Sequence, residues 1–377
     1  MRSALLGIGV LAAVGSAYAV VSNSWLPGER ISYLEGNTVA AATTTVPVPP
    51  PVTHIRTPEP VKAVYMTACI AGTPRLREKV LATISGTQIN SLMIDIKDYT
   101  GTVSYVDSNV PGPKGKGCTV SDLPAFVSEL HAKGIYAIAR ITVFQDPLYA
   151  AAHPDLAVQS YSHPGKPWTD RKGLAFIDPD FPEYWGHIVD LSKEVHSIGF
   201  DEVNFDYIRF PSDGDMSDAR FALPEGVSRR MAIGSFFDHI HKELSSAGIV
   251  TSADIFGQTT INTDDLGIGQ VLEDALLSFD YVAPMVYPSH FIPGFEGYDS
   301  PAAHPYEVIK TTMTRAVERA AAASTTPGKL RPWLQAFDLG ADYTPAMVHA
   351  EMQAVYDSGL TGWMLWDAAN RYTKEEL

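Results

Sequence analysis

Short runs of aliphatic and β-branched residues recur along the chain, each followed by a longer stretch with apolar positions three or four apart. The pattern begins at residue 61. Runs at 61–67, 91–98, 135–144, 199–211, 250–258, 279–288, 330–337 and 361–367 read as strands. Stretches at 74–84, 121–133, 182–198, 226–246, 301–323 and 344–358 read as helices, with Gly134 and Gly199 as C-terminal stops. Such alternation predicts a parallel sheet covered by helices. Eight strands with these intervening helices close naturally as an α/β (β/α)₈ TIM barrel over 61–377. Only ten residues follow Asp367, so the eighth helix is short or missing. Residues 100–106 read as a hairpin arm and 111–117 as a Pro/Gly/Lys loop. Residues 146–181 have little period, and a loop of that length at a barrel rim is expected to be functional.

The first sixty residues lack this pattern. Arg2 precedes a nearly unbroken apolar run, Ala4 to Val21, and Ala17-Tyr18-Ala19 fits a small-x-small cleavage site. We expect an export signal over 1–21, either cleaved or kept as an N-terminal membrane anchor. Residues 22–60, with Val46-Pro47-Val48-Pro49-Pro50-Pro51, read as a disordered Pro/Thr-rich linker. The expected location is therefore outside the cell or on the outer face of the cytoplasmic membrane.

Composition narrows the partners. Net charge is −15 with no basic patch, which argues against nucleic acid. The hydrophobic fraction of 45% is enough for one large core. Cys69 and Cys118 belong to no metal-ligand spacing; an exported chain allows one disulfide between them, and Cys69 as plain core is the other reading. No HExxH, P-loop, GxSxG or GxGxxG stands in the right context, so we expect no metal and no cofactor. A monomer is expected.

The chemistry lies at the strand ends. Asp95 with Lys97 and Asp98, Arg140, Asp206 with Tyr207 and Arg209, Asp254 with Gln258, Tyr287, Gln335, and Trp366 with Asp367 all stand where a barrel gathers its active-site groups. Carboxylates, amides and aromatics in one cleft suit sugar, since aromatic faces stack on pyranose rings. Glycoside hydrolysis needs two carboxyl groups, one protonated and one ionised. Asp206 and Asp254 end adjacent strands and are the candidate catalytic pair: Asp206 as nucleophile or charge stabiliser, Asp254 as general acid/base. Asp95, Lys97, Arg140, Tyr207, Arg209, Gln258, Tyr287, Gln335, Trp366 and Asp367 are the candidate substrate contacts. Each has a plainer reading: Asp206 as a helix cap, Asp95 as an ion-pair partner at the barrel mouth, Trp366 as core. Glu202, at the strand start, is expected at the opposite face.

The motifs Ile94-Asp95-Ile96-Lys97-Asp98, Ala139 through Phe144, Gly199 through Pro211, Tyr281 through Pro288 and Gly362 through Asp367 together resemble the "putative glycosyl hydrolase domain", domain of unknown function 4015, over about residues 61–370. The resemblance implies a TIM barrel related to glycosidases. Asp206 is similar in place to the fourth-strand nucleophile of α-amylase-like enzymes, but Asn204 stands where those have arginine, and Asp254 where they have glutamate. Chitinase-like barrels end that strand in Asp-x-Glu. Here Ile208 takes the Glu position, which argues against substrate-assisted chemistry, although Met285-Val286-Tyr287 and Trp366 are similar. The expected function is an exported hydrolase of an extracellular or cell-wall polysaccharide. The alternatives are a non-catalytic glycan-binding barrel at the cell envelope and a transglycosidase using the same carboxylates.

Overall fold

A computed structural model describes residues 52–377 other than 107 and 114. The expected export signal and residues 22–51 of the expected linker lie outside these. No described helix is long and apolar enough to cross a membrane.

Eight parallel strands close into a barrel. In chain order they are β1 (Lys62–Met66), β2 (Ser91–Lys97), β3 (Tyr136–Thr142), β5 (Glu202–Asp206), β7 (Val250–Phe256), β8 (Tyr281–Met285), β9 (Trp333–Gln335) and β10 (Trp363–Trp366). The short β4 (Gln159–Ser160) and β6 (Ala219–Arg220) pair antiparallel outside it. Helices α1 (Ala68–Ala71) and α2 (Pro74–Ile84) follow β1, α3 (Leu123–Ala132) follows β2, and α4 (Pro147–Ala152) and α5 (Pro182–Ile198) follow β3. Then α6 (Arg229–Ser245), α7 (Leu272–Ser278), α8 (Pro305–Ala322) and α9 (Pro345–Asp357) fill the remaining intervals. Proline opens α2, α4, α5, α8 and α9, where its fixed φ suits the first turn and its missing N–H costs no bond.

Period-two alternation divides the core. Outward residues such as Leu92, Ile94, Ala139, Val203, Phe205, Ala253 and Ile255 pack under the helices. Inward residues Ala63, Tyr65, Met93, Tyr136, Ile138, Ala283, Tyr287, Trp333 and Met364 fill the barrel. The inner face of β5 is different: Glu202, Asn204 and Asp206 are all polar and all buried. At the lower end Glu202 accepts hydrogen bonds from Arg331 Nη1 (2.9 Å) and Tyr136 OH (3.1 Å). That is the N-terminal, non-catalytic face of such a barrel.

One local expectation changes. Residues 52–60 are not a free linker. Ile55 N donates to Asp201 Oδ1 (2.8 Å) and Thr57 Oγ1 bonds Tyr136 OH (3.0 Å), so this end of the segment closes the barrel floor. The hairpin arm expected at 100–106 is a minimal one: one antiparallel bridge joins Lys97 to Val103, flanked by Asp98 N to Thr102 O (3.1 Å) and Ser104 N to Ile96 O (2.8 Å). Asp98 Oδ1 holds the turn by accepting from Thr100 N (2.9 Å) and Thr100 Oγ1 (2.6 Å). As expected, no eighth helix forms among the described residues. Tyr372 OH sits at the β1/β10 seam, bonded to Tyr65 O (3.0 Å) and Leu365 O (3.2 Å).

Cys69 and Cys118 form a disulfide spanning 49 residues, linking α1 to the segment before α3. Closing a loop of that size restricts the unfolded chain. Replacing both cysteines with serine should lower stability by about 2–4 kcal/mol in denaturant unfolding, and reductant should shift only the disulfide-containing protein.

Candidate active site

The site is built on Arg140, an inward residue of β3. Arginine on the inside of a barrel carries a charge out of water, and burial alone would make this very costly. Three carboxylates answer it. Arg140 Nη1 donates to Asp95 Oδ1 on neighbouring β2 (2.6 Å), and Nη2 donates to Asp206 Oδ2 on β5, the strand on its other side. Nε faces Asp254 Oδ2 on β7 at 3.9 Å and makes no hydrogen bond. Parallel register produces the cluster, since Asp95 pairs with Arg140, Thr142 with Asp206, and Phe205 with Ala253.

The two outer carboxyls of most interest have different surroundings. Asp206 Oδ1 accepts from Tyr207 N (2.6 Å), and Tyr207 holds φ +53°, turning the chain sharply off the strand end. Asp254 lies deeper. Its Oδ1 accepts from Asn204 Nδ2 (2.9 Å) and Trp333 Nε1 (2.8 Å). Burial, then the Asp206 charge, pushes the Asp254 carboxyl well above the usual range, outweighing Arg140 and those two donors. With two N–H donors on Oδ1, Oδ2 is the oxygen left free to carry a proton. Asp95 is likewise raised by burial, against the pull of Arg140, and accepts from Tyr65 OH.

Above the cluster opens a cavity of about 360 Å³. Trp366 forms one wall, stacked on Tyr65 at 3.8 Å and edge-on to Trp333 at 5.5 Å. The far wall holds Phe256, Gly257 and Gln258 after β7 and Tyr207 and Arg209 after β5. Gly257 is dictated by crowding, since a Cβ there would stand 2.4 Å from Met285 O. Met285, Tyr287, His290 and Phe291 complete the lining, and burial lowers the His290 imidazole so that it is neutral at neutral pH.

Of the residues singled out from sequence, Arg140, Asp206, Tyr207, Arg209, Asp254, Gln258, Tyr287 and Trp366 line this one cavity. Asp95 stands behind Arg140. Three others are not brought to it. A register shift between Asp95 and Lys97 turns the lysine away, and its ammonium bonds Thr142 O (2.6 Å) and pairs with Asp146 (2.9 Å). Gln335 ties loops, accepting from Ser289 N (3.2 Å) and donating to Phe337 O (2.9 Å). Asp367 caps the last turn, accepting from Ala369 N (2.9 Å) and Arg371 N (2.7 Å). Tyr65, Trp333, Phe256 and Phe291 were not foreseen. The first two are inward aromatics, Tyr65 one residue before the end of β1 and Trp333 at the start of β9, positions that alternation does mark. Among the described residues no cluster of His, Cys, Asp and Glu could hold a metal.

A closed (β/α)₈ barrel with paired carboxyls under an aromatic wall defines a glycosidase-type protein. The chain belongs to the family described as "Putative glycosyl hydrolase domain", whose model matches residues 63–372. Among solved structures, the PgaB (BpsB) glycoside hydrolase domain from Bordetella bronchiseptica is 15% identical, with TM-score 0.58 over 82% of this chain and 94% of that one. Alpha-L-fucosidase isoenzyme 2 from Paenibacillus thiaminolyticus is 12% identical, with TM-score 0.58 over 84% of this chain and 48% of that one. A hypothetical protein from Ruminiclostridium thermocellum ATCC 27405 is 28% identical, with TM-score 0.45 over 54% of this chain and 98% of that one. The first two likenesses show the shared barrel. No curated protein matches the chain.

Removing the central cation tests this geometry. Arg140→Met should cost about 3–5 kcal/mol at pH 7, because it strands buried carboxylates. Without the cation, the carboxyls that burial already raises go higher still in the folded state. Their stabilising effect is then complete below the unfolded carboxyl range and is lost as pH rises through the folded values. Urea unfolding should therefore show a smaller deficit at pH 4.5 than at pH 7.

Proposed function

We propose that the protein hydrolyses glycosidic bonds, with Asp254 as general acid and Asp206 as the carboxylate that meets the reacting sugar. One observation carries this reading. Two carboxyls on adjacent strands share the Arg140 guanidinium, and burial with the neighbouring Asp206 charge raises the Asp254 carboxyl well above the usual range. Asp254 Oδ2 would give its proton to the glycosidic oxygen, so the leaving sugar departs as a neutral alcohol. Asp206 would stand against positive charge growing at the anomeric carbon, as nucleophile or stabiliser. Trp366 would floor a sugar ring, and Tyr207, Gln258 and Tyr287 would bind hydroxyls. Membership of the glycosyl hydrolase family supports the assignment.

The substrate we infer is an extracellular or cell-wall polysaccharide. The apolar Ala4–Val21 run behind Arg2 supports export, by a cleaved signal or a retained anchor, and the Cys69–Cys118 disulfide fits an oxidising compartment. A second reading, a barrel that binds glycan without cleaving it, is favoured by one detail: both Asp206 oxygens already accept hydrogen bonds.

Reducing-sugar release from wall and storage polysaccharides separates the two. Asp206→Asn should abolish release while retaining glycan binding, and Asp254→Asn should lower it by about 10²–10⁴-fold. Binding with no release by the unmodified protein on any glycan supports the second reading. The raised Asp254 carboxyl also sets a direction with pH. Activity should fall as pH rises through its value, and aryl glycosides with acidic leaving groups should escape that fall, because they need no proton.

A further inference from the structure

Arg209 is the charged group in the cavity that the proposed hydrolysis leaves without a task. It follows the turn at Tyr207, is half-buried, and lines the wall on the β5/β7 side, across from Trp366. Its guanidinium lies over Phe256 at 4.7 Å and Tyr207 at 5.2 Å, which fixes the plane of the fork. Nη1 is used internally, donating to Phe210 O (3.0 Å) and Ser212 Oγ (3.2 Å). The edge formed by Nε and Nη2 has no protein partner among the described residues. The acidic groups nearby are committed elsewhere: Asp206 to Arg140, Asp213 to Arg171 at 3.4 Å, and Asp170 to the backbone N–H groups of Lys172 and Leu174.

The chain shows what that edge binds when it is filled. Arg230 presents Nε and Nη2 to the two oxygens of Asp274 at 2.7 and 2.8 Å. Arg319 presents the same pair to Glu273 at 2.7 and 2.6 Å. Two parallel N–H groups match two carboxylate oxygens. Arg209 lines a sugar-sized cavity with the same edge unpaired, and burial lowers its affinity for the proton. A partly buried guanidinium with two parallel N–H groups unpaired suits a carboxylate brought by a ligand.

We propose that Arg209 binds a sugar carboxylate, so the cavity takes an acidic glycan carrying a hexuronic acid one ring away from, or at, the scissile bond. This rests on the cavity being the glycan site of the proposed hydrolase. The net charge of −15 does not oppose it, because surface charge is screened beyond about 8 Å at physiological salt, whereas the guanidinium contact is direct. Arginine selects the planar two-oxygen group; lysine, a point charge, would not.

The test uses oligoglucuronides and the same oligosaccharides after reduction of their carboxyls to primary alcohols, with the wild-type protein, Arg209→Gln and Arg209→Lys. Binding and release are both read. Wild type should prefer the acidic form by about 10- to 100-fold. Arg209→Gln should erase that preference by weakening the acidic form far more than the neutral one, and Arg209→Lys should recover only part of it. Selective acidic binding that Arg209→Gln abolishes, with no release, upholds this assignment and overturns hydrolysis. Release from neutral and acidic forms at equal rates, or equal loss on both in Arg209→Gln, upholds hydrolysis and overturns the role of Arg209.

Discussion

The molecule turns on one buried cation. Arg140 holds Asp95 and Asp206 directly and stands 3.9 Å from Asp254, so three acidic side chains from three strands are tied to a single guanidinium inside the barrel. One positive charge cannot balance three negative ones at close range. Burial and the neighbouring Asp206 charge raise the carboxyl of Asp254, the deepest of the three, well above the usual range. Inequality between Asp206 and Asp254 therefore follows from counting charges in a small dry space. It does not require any special chemistry at either residue.

That inequality depends on β5. An ordinary barrel strand points apolar side chains inward. This one points Glu202, Asn204 and Asp206, which makes a polar column from floor to mouth. Each level has its own partners: Glu202 has Arg331 and Tyr136, Asn204 has Asp254 and Ser252, and Asp206 has Arg140, while Glu202 Oε1 and Asn204 Oδ1 have no hydrogen-bond partner among the described residues. Around the column, Tyr65, Trp333 and Trp366 supply an aromatic frame. Trp333 donates to Asp254, and Trp366 is the wall proposed to meet a sugar ring. Stability and proposed chemistry use the same side chains, so substitutions here affect both.

Barrel closure was legible in the sequence because strand and helix periods alternate cleanly and Pro or Gly marks most boundaries. Convergence of Arg140, Asp206, Asp254 and Trp366 followed from their positions at strand ends alone. Lys97 was misplaced because a one-residue register shift is invisible to period-two counting, and such a shift moves a side chain to the other face. Gln335 and Asp367 satisfied the strand-end rule but were taken up by backbone groups of nearby loops, a demand that cannot be read locally. The docking of residues 52–60 was hidden for a related reason. Their hold is through hydrogen bonds to Asp201 and Tyr136, which leave no hydrophobic period.

The most direct measurement is a carbon-13 NMR titration of aspartate carboxyls in the intact protein and in Asp254→Asn. The account predicts one carboxyl that titrates well above the exposed aspartates and whose signal is missing from the variant. Finding Asp254 fully ionised at pH 6, with an ordinary aspartate midpoint, would contradict it and remove the acid from the proposed mechanism.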